Sequence, residues 1–311
     1  MASVSSAAPH VAADFLRLAQ GYLARHGVAT PRLDAEVLLA SVLGISRLEL
    51  YAQLDEPLER REVDAYRDAL RRRAAREPVA YIVGYREFYG LRMRVGPGVL
   101  IPRPETEYLV ELALSSTEQA APVRVADACT GSGAVAVAIA VRRPQACVVG
   151  TDVSEQALAF AAVNGRAHVP GGRVRWIRAD GLRALAEASF DLVVSNPPYV
   201  PSGEMRALAP EIRHYEPREA LDGGEDGLRT ARELAREAMK VLRPGGVLIM
   251  ELGTPAQARR LAAECLRAGG AYREAVAAED PVSRVPALVA RRAGEAPPGI
   301  RWPVGGGRAW P

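Results

Sequence analysis

The 311-residue chain contains little lysine, cysteine or aromatic residue. Lys240 is the only lysine, so arginine supplies 39 of the 40 basic side chains. Three scattered cysteines, Cys129, Cys147 and Cys265, with no CxxC pair argue against a disulfide framework and a zinc site, and we expect no metal. No apolar run reaches the roughly 18 residues of a transmembrane helix, and the N-terminus lacks the pattern of a signal peptide. We therefore expect a cytoplasmic protein that does not bind membranes.

The balance of charge also argues against direct binding of nucleic acid. The formal net charge of +3 is small, and residues 1–85 hold 11 arginines against 11 acidic residues. The one dense basic cluster, Arg71–Arg73, lies between acidic neighbours, which is typical of a solvated helix face.

Four regions of the chain follow different residue patterns. In residues 1–84 apolar positions recur three and four apart, which predicts a small helical bundle. Residues 85–101 alternate apolar and polar side chains around glycines, which predicts a β-hairpin connector. In residues 102–293 short apolar runs alternate with helical stretches, so we expect an α/β fold with a mainly parallel sheet sandwiched by helices. Residues 294–311, rich in proline and glycine, indicate a flexible tail.

The first strand of the α/β region ends in the sequence DACTGSG, and an Ala/Val-rich helix follows at once. Glycines in such a turn let a ligand approach the backbone, and the helix N-terminus supplies free N–H groups. Asp152 ends the second strand, 19 residues after Gly133, where a carboxylate can accept hydrogen bonds from both ribose hydroxyls. This combination predicts a nucleoside cofactor, held by Asp127, Cys129, Thr130, Gly131, Ser132, Gly133 and Asp152.

The same loop argues against NAD as that cofactor. The fingerprint G-x-G-x-x-G would need glycine where Cys129 stands. The acidic Asp127 suits a cationic sulfonium and an ammonium group better than a pyrophosphate, and it can also fix the turn by bonding backbone N–H groups. At the end of the third strand, Asp180 either accepts from the exocyclic amine of adenine or caps a helix. Gly181, beside it, leaves room for the ring.

The fourth strand runs into Asn196, Pro197, Pro198 and Tyr199. The two prolines remove N–H donors, so this backbone offers carbonyl acceptors without competing donors. A planar NH2 group is a poor nucleophile because its lone pair is delocalised. The Asn196 side-chain oxygen and the Pro197 carbonyl can accept its two hydrogens, which orients the nitrogen and increases its electron density, while the Tyr199 ring holds the planar group. These residues predict methyl transfer to a planar nitrogen.

Taken together, these motifs resemble class I methyltransferases that act on planar nitrogens. More specifically, the chain resembles the HemK/PrmC family of peptide chain release factor N5-glutamine methyltransferases, over about residues 12–292. The narrower resemblance depends on REFYG at 86–90, LIPRPETE at 100–107, VSNPPYVP at 194–201, ALDGGEDGL at 220–228 and LRPGGVLIMELG at 242–253.

The resemblance implies a class I (Rossmann-like) methyltransferase fold and S-adenosylmethionine as the cofactor. It implies N5-methylation of the glutamine in the Gly-Gly-Gln motif of class I release factors, with the N-terminal bundle contacting the release factor. Residues 129–133, Asp152 and Gly181 would then contact the cofactor, and Asn196 to Tyr199 would hold the glutamine, with Asn196 bordering both ligands. Many relatives have glycine in place of Cys129 and a bulky aromatic residue in place of Gly181. A cysteine would be strained at this position if its φ were positive.

Two other functions use the same residues differently. A methyltransferase acting on adenine N6 or guanine N2 of DNA or rRNA would need the same amine pocket, although the chain lacks a basic domain for such a substrate. A non-catalytic cofactor-binding or ribosome-associated protein would not need Asn196 to Tyr199. Arg103, Glu105 and Thr106 are explained equally well by the start of a helix, so we leave them out of the candidate site.

Overall fold

The computed structural model describes residues 11–303. Five helices and the short helix Pro210–Tyr215 form one compact helical unit, which confirms the predicted N-terminal bundle. Thr30 and Pro31 begin the second helix, and Gly44 at φ 69° ends it, because a left-handed residue stops helical hydrogen bonding. Buried Leu23, Leu39 and Tyr66 belong to its core. The five helices are α1 (Ala12–Arg25), α2 (Pro31–Leu43), α3 (Arg47–Ala52), α4 (Arg60–Ala74) and α5 (Val79–Val83).

An ion-pair cluster holds the short helix Pro210–Tyr215 against the other helices of this unit. Glu211 accepts hydrogen bonds from Arg73 at 2.9 Å and from Arg76 at 2.8 Å. Arg73 also donates to Asp34 at 2.6 Å, and both of these side chains are buried. The interpretation of Arg71–Arg73 as a solvated face is therefore wrong for Arg73, whose guanidinium is desolvated and paired.

The predicted hairpin is present and shorter than its predicted span. Strands β1 (Tyr85–Phe88) and β2 (Leu91–Arg94) pair antiparallel, with Phe88 opposite Leu91. Tyr89 and Gly90 both have positive φ, the geometry of a tight two-residue turn. Phe88 and Met93 are fully buried against the α/β unit, so the hairpin is packed in place.

A seven-stranded sheet forms the centre of the α/β unit, in the order β5-β4-β3-β6-β7-β9-β8. Five neighbouring strands are parallel, and β9 runs antiparallel to both β7 and β8. This mainly parallel topology confirms the predicted class I methyltransferase fold. The strands are β3 (Arg124–Ala128), β4 (Cys147–Asp152), β5 (Val174–Arg178), β6 (Phe190–Ser195), β7 (Leu242–Glu251), β8 (Tyr272–Glu279) and β9 (Pro286–Arg292).

Helices cover both faces of this sheet. Alternate residues of β6 pack into different hydrophobic cores. Leu192 and Val194 belong to one core and Val193 belongs to the other, as expected for a strand buried on both sides. Within residues 11–303, no helix has the length and apolar character to cross a membrane. The remaining helices are α6 (Glu107–Ser115), α7 (Ala134–Arg142), α8 (Glu155–His168), α9 (Pro210–Tyr215, described above), α10 (Arg229–Val241) and α11 (Pro255–Arg267), with 3₁₀ turns at Pro104–Thr106, Ser202–Ala207 and Arg218–Ala220.

Two segments differ from the sequence-based expectations. Strand β8 was not expected, because its sequence YREAVAAE is rich in helix-favouring residues; pairing with β9 overrides that preference. Residues 294–303, which the sequence assigned to a flexible tail, pack on the α/β unit. Ile300 is buried beside Thr117, and the Trp302 ring lies under Arg291. Residues 304–311 of that predicted tail lie outside the described residues.

Candidate active site

A cleft opens at the carboxyl edge of the sheet, where β3, β4, β5 and β6 end side by side. This edge is where parallel α/β sheets bind ligands. Gly133, Pro197 and Tyr199 do not line the cleft, although each belongs to the predicted site. The predicted residues that do line it are Asp127, Cys129, Thr130, Gly131, Ser132, Asp152, Asp180, Gly181, Asn196 and Pro198.

Asp127 is a buried anchor of the loop after β3. One oxygen of its carboxylate accepts from the Thr130 hydroxyl at 2.6 Å and from the Ala136 N–H at 3.2 Å. Burial raises the pKa of Asp127 to about 7, these two hydrogen bonds oppose the effect, and the nearby Asp152 charge adds to it. The carboxylate therefore fixes the turn, and a nearby cation would stabilise its ionised form.

The glycines of this loop have different roles. Gly131 has φ 56°, and no atom lies within 4 Å of where a side chain would begin, so this position stays open to a ligand. A Cβ on Gly133 would lie 2.6 Å from Trp176, so Gly133 allows the loop to pack on β5. Cys129 has φ 55°, the strained left-handed region for a residue with a side chain.

Asp152 ends β4 and touches the loop after β3 directly. Its two carboxylate oxygens accept from the N–H groups of Gly131 and Ser154, each at 2.9 Å. Burial raises its pKa, and these backbone hydrogen bonds oppose the shift. A carboxylate oxygen has a second lone pair, so Asp152 can still accept hydrogen bonds from a ligand in the cleft.

The end of β5 differs from its expected arrangement. In the described part of the chain no helix begins at Asp180, and its side chain forms an ion pair with Arg183. Gly181 has φ 63°, and a Cβ there would lie 2.2 Å from the Glu237 carboxylate. Glu237 also accepts from the Leu182 N–H at 2.8 Å. Its carboxylate therefore occupies the space on the Cβ side of Gly181, and both residues line the cleft.

The Asn196 side chain is held by a residue that the sequence analysis left out of the site. Its amide nitrogen donates to the Thr106 hydroxyl at 2.9 Å, and Thr106 is buried and lines the cleft. With the nitrogen engaged in this bond, the amide oxygen of Asn196 remains as an acceptor. The arrangement can accept an N–H from a bound amide.

The backbone that follows Asn196 is held by the glycine-rich segment 220–228. The Gln257 side chain donates to the carbonyls of Tyr199 and Asp226, each at 3.0 Å. A Cβ on Gly223 would lie 2.7 Å from the Pro198 carbonyl, so glycine is required there for close approach. Within residues 11–303 the Pro197 carbonyl accepts no hydrogen bond, although Pro197 itself is buried and does not line the cleft.

Glu251, at the end of β7, is a second functional candidate that sequence reasoning missed. Glu251 is 3% exposed, and its carboxylate accepts from the Tyr199 hydroxyl at 3.3 Å. Burial raises the pKa of Glu251 to about 7, and hydrogen bonding by Thr106, Tyr199 and Asn196 opposes the shift. The signal for Thr106 and Glu251 was their position in the family-like segments LIPRPETE and LRPGGVLIMELG.

Two family models and several known proteins match this chain. A model described as "PrmC N-terminal domain" matches residues 14–84, and one described as "Methyltransferase small domain" matches residues 106–213. A release factor glutamine methyltransferase from Geobacter sulfurreducens is 47% identical over 75% of this chain and 81% of its own length. Proteins of the same name from Nitratidesulfovibrio vulgaris and Chlorobaculum tepidum are 41% and 43% identical, over 76% and 77% of this chain and 81% and 84% of theirs.

The chain belongs to the release factor glutamine methyltransferase family. Membership confirms the resemblance seen in the sequence and the assignment as a methyltransferase. The two family matches cover parts of both units. The first match ends at Gly84, where the helical unit ends and the hairpin begins, and the second match lies mostly in the α/β unit. The individual roles of the cleft residues stay predictions.

Proposed function

We propose that this protein transfers a methyl group from S-adenosylmethionine to the side-chain nitrogen N5 of the glutamine in the Gly-Gly-Gln motif of class I release factors. The observation that carries the proposal is the Asn196 amide. It lies at the cleft with its nitrogen bonded to Thr106, so that its oxygen is left to accept an N–H. Membership of the release factor glutamine methyltransferase family supports the same substrate.

In this proposal, two acceptors hold the glutamine amide. The Asn196 oxygen accepts one N–H and the Pro197 carbonyl accepts the other, while the Tyr199 ring packs on the planar group beside Pro198. Bonds to both hydrogens increase electron density on the nitrogen and fix its direction of attack. S-adenosylmethionine held in the cleft would supply the electrophilic methyl group and would keep its sulfur as a neutral thioether, while the methylated amide nitrogen would lose one proton to water.

The cofactor side of the cleft suits a nucleoside that carries positive charge. Asp152 has lone pairs left for ribose hydroxyls, and the open position at Gly131 admits a ligand beside the loop backbone. The buried Asp127 would favour the sulfonium and ammonium groups. Asp180 and Gly181 would border the adenine, with Glu237 beside them.

The helical unit would contact the release factor. The exposed apolar side chains of this unit include Leu18 at 66%, Leu33 at 42% and Leu48 at 83%. Exposed apolar side chains can contribute to a protein contact, and the match to the PrmC N-terminal domain covers all three. A cytoplasmic location is part of the proposal, because the substrate is a translation factor.

Transfer of labelled methyl from S-adenosylmethionine to a purified class I release factor tests the proposal. We expect label on the native factor and none on a factor whose Gly-Gly-Gln glutamine is replaced by alanine. Parallel reactions contain DNA or rRNA. Label on nucleic acid alone would mean that the amine pocket is correctly identified and that its substrate is a nucleic acid. Binding of the cofactor without transfer to any acceptor would indicate a binding protein.

A further inference from the structure

The register of the sheet places the buried carboxylate of Glu251 next to the proposed amide site. Strands β6 and β7 are parallel, with Ser195 opposite Met250, so Asn196 and Glu251 follow the last paired residues on adjacent strands. Among residues 11–303 Glu251 forms no ion pair, and its second carboxylate oxygen has no hydrogen-bond partner. An unpaired buried carboxylate is costly, so its presence here calls for an explanation other than packing.

The direction of the hydrogen bonds around Thr106 provides that explanation. A hydroxyl can donate or accept, so Thr106 alone would tolerate either face of the Asn196 amide. An ionised carboxylate only accepts. If Glu251 takes the Thr106 hydrogen, Thr106 must accept from Asn196, and the Asn196 nitrogen is then turned to Thr106.

The opposite arrangement would prevent the reaction. With Thr106 donating to the Asn196 oxygen, the Asn196 NH2 group would face the substrate NH2 group, and two donors would meet. Tyr199 is fixed by the same carboxylate, because its hydroxyl donates to Glu251 at 3.3 Å. One acceptor thus orients two of the residues proposed to hold the glutamine.

We propose that Glu251 is a positioning residue for methyl transfer: its carboxylate accepts from Tyr199, and its unpartnered oxygen offers Thr106 and Asn196 an acceptor that keeps the Asn196 oxygen turned to the substrate. This inference rests on the proposed function, since it assigns a role within that reaction. Glu251 does not line the cleft, so it would act through these neighbours and not on the reacting atoms.

Glu251→Gln tests this role, with Glu279→Gln as a control at the end of β8. The glutamine side chain keeps the shape but adds donors, so the Thr106 bond loses its fixed direction. We expect kcat to fall on the order of 100-fold, the cost of a misplaced reacting group, with KM for both substrates changed by less than about 3-fold. The melting temperature should stay equal or rise, because an unpaired buried charge is removed.

A second variant separates positioning from a general loss of structure. Thr106→Val removes the hydroxyl that links Glu251 to Asn196, so it should lower kcat to a similar degree, and the double variant should be no slower than the slower single variant. Losses that multiply, or a Glu251→Gln enzyme within about 3-fold of wild type, would overturn the inference.

The pH profile provides a readout that packing alone would not change. The charge of Glu105 raises the pKa of Glu251, and the Tyr199 hydroxyl donates a hydrogen bond to the Glu251 carboxylate. The charge of Arg103, which is paired with Glu216, acts to lower the pKa of Tyr199. Because the ionised form is required, kcat of the wild type should fall as pH drops below about 7, and Glu251→Gln should lose that decline. An unchanged decline in the variant would contradict the role. If the wild type transfers no methyl group to a release factor, the proposed function fails instead.

Discussion

The loops that follow β3 and β6 lie at one edge of the same sheet and offer opposite hydrogen-bonding groups. The loop after β3 contains Gly131 and Gly133 at positive φ, and its N–H groups point to acceptors such as Asp152. The loop after β6 contains Pro197 and Pro198, which have no N–H, so its backbone can only accept at these two positions. Glycine and proline thus divide one cleft into a donor-rich half and an acceptor-rich half.

The carboxylates of the two halves differ in the same way. Asp152 is bonded by backbone N–H groups, so its position follows from the fold of its own loop. Glu251 accepts from the side-chain hydroxyl of Tyr199, and in our proposal it orients the residues around it. We therefore propose that the first half binds the cofactor and the second half orients the substrate, and each of the following experiments separates these two roles.

Asn196→Ala should have the largest effect, on the acceptor-rich half alone. Removing the amide oxygen removes one of two acceptors for the glutamine, and we expect kcat to fall on the order of 100- to 1,000-fold. Binding of S-adenosylmethionine, measured by calorimetry, should stay within about 3-fold of wild type. Equal loss of transfer and cofactor binding would show that the two halves are not separate.

Asp152→Asn should affect the donor-rich half. Loss of the charge weakens hydrogen bonds to the ribose, each worth about 1.5–3 kcal/mol when charge-assisted, so the Kd for S-adenosylmethionine should rise on the order of 10- to 100-fold. At saturating cofactor, kcat should recover most of its wild-type value. A kcat that stays low at saturation would place Asp152 in the transfer step.

Asp127 should make cofactor binding depend on pH. Its pKa of about 7 in the free protein should fall when a cation binds nearby, so S-adenosylmethionine binding near neutral pH releases a proton. Affinity should then decrease about 10-fold between pH 8 and pH 6, because only the ionised form attracts the cation. Titration calorimetry in buffers of different ionisation enthalpy measures the proton, and Asp127→Asn is the control. No proton release in the wild type would contradict a cation beside Asp127.

Cys129 should give the smallest effect, on stability. Its φ of 55° suits glycine and strains any other residue. Cys129→Val should lower the free energy of unfolding by about 2 kcal/mol, since a β-branched residue is worst in this region, whereas Cys129→Gly should change it by less than about 1 kcal/mol. Denaturant unfolding measures both. Equal losses of unfolding free energy in the two variants would mean that the volume of the side chain, and not the backbone conformation, determines stability at this position.

The sequence predicted the parts of the site whose chemistry is local. The hydrogen-bonding groups of the glycines, the prolines and the acids at strand ends follow directly from the residue types. The alternation of strands with helices predicted the sheet that places these residues at one edge. Thr106 and Glu251 could not be assigned in this way, because their contacts depend on the register of β6 and β7 and on a turn 90 positions before Asn196.

Other misses also arise from contacts distant in sequence. Glu237 occupies the space beside Gly181 from a helix 55 positions beyond Leu182, the residue that it bonds. Glu211 pairs with Arg76 across 135 positions, so local patterns could not place the helix Pro210–Tyr215 in the helical unit. Strand β8 was missed because edge pairing decided against its helix-favouring composition.

The most direct test of the account is mass spectrometry of a release factor after reaction with this protein and S-adenosylmethionine. Fragmentation of the Gly-Gly-Gln peptide should locate a single added methyl group on the glutamine side chain, and the Asn196→Ala enzyme should leave the peptide unmodified. A methyl group on any other residue, or an unmodified peptide with the active wild-type enzyme, would contradict the assignment of the acceptor-rich half to a glutamine amide.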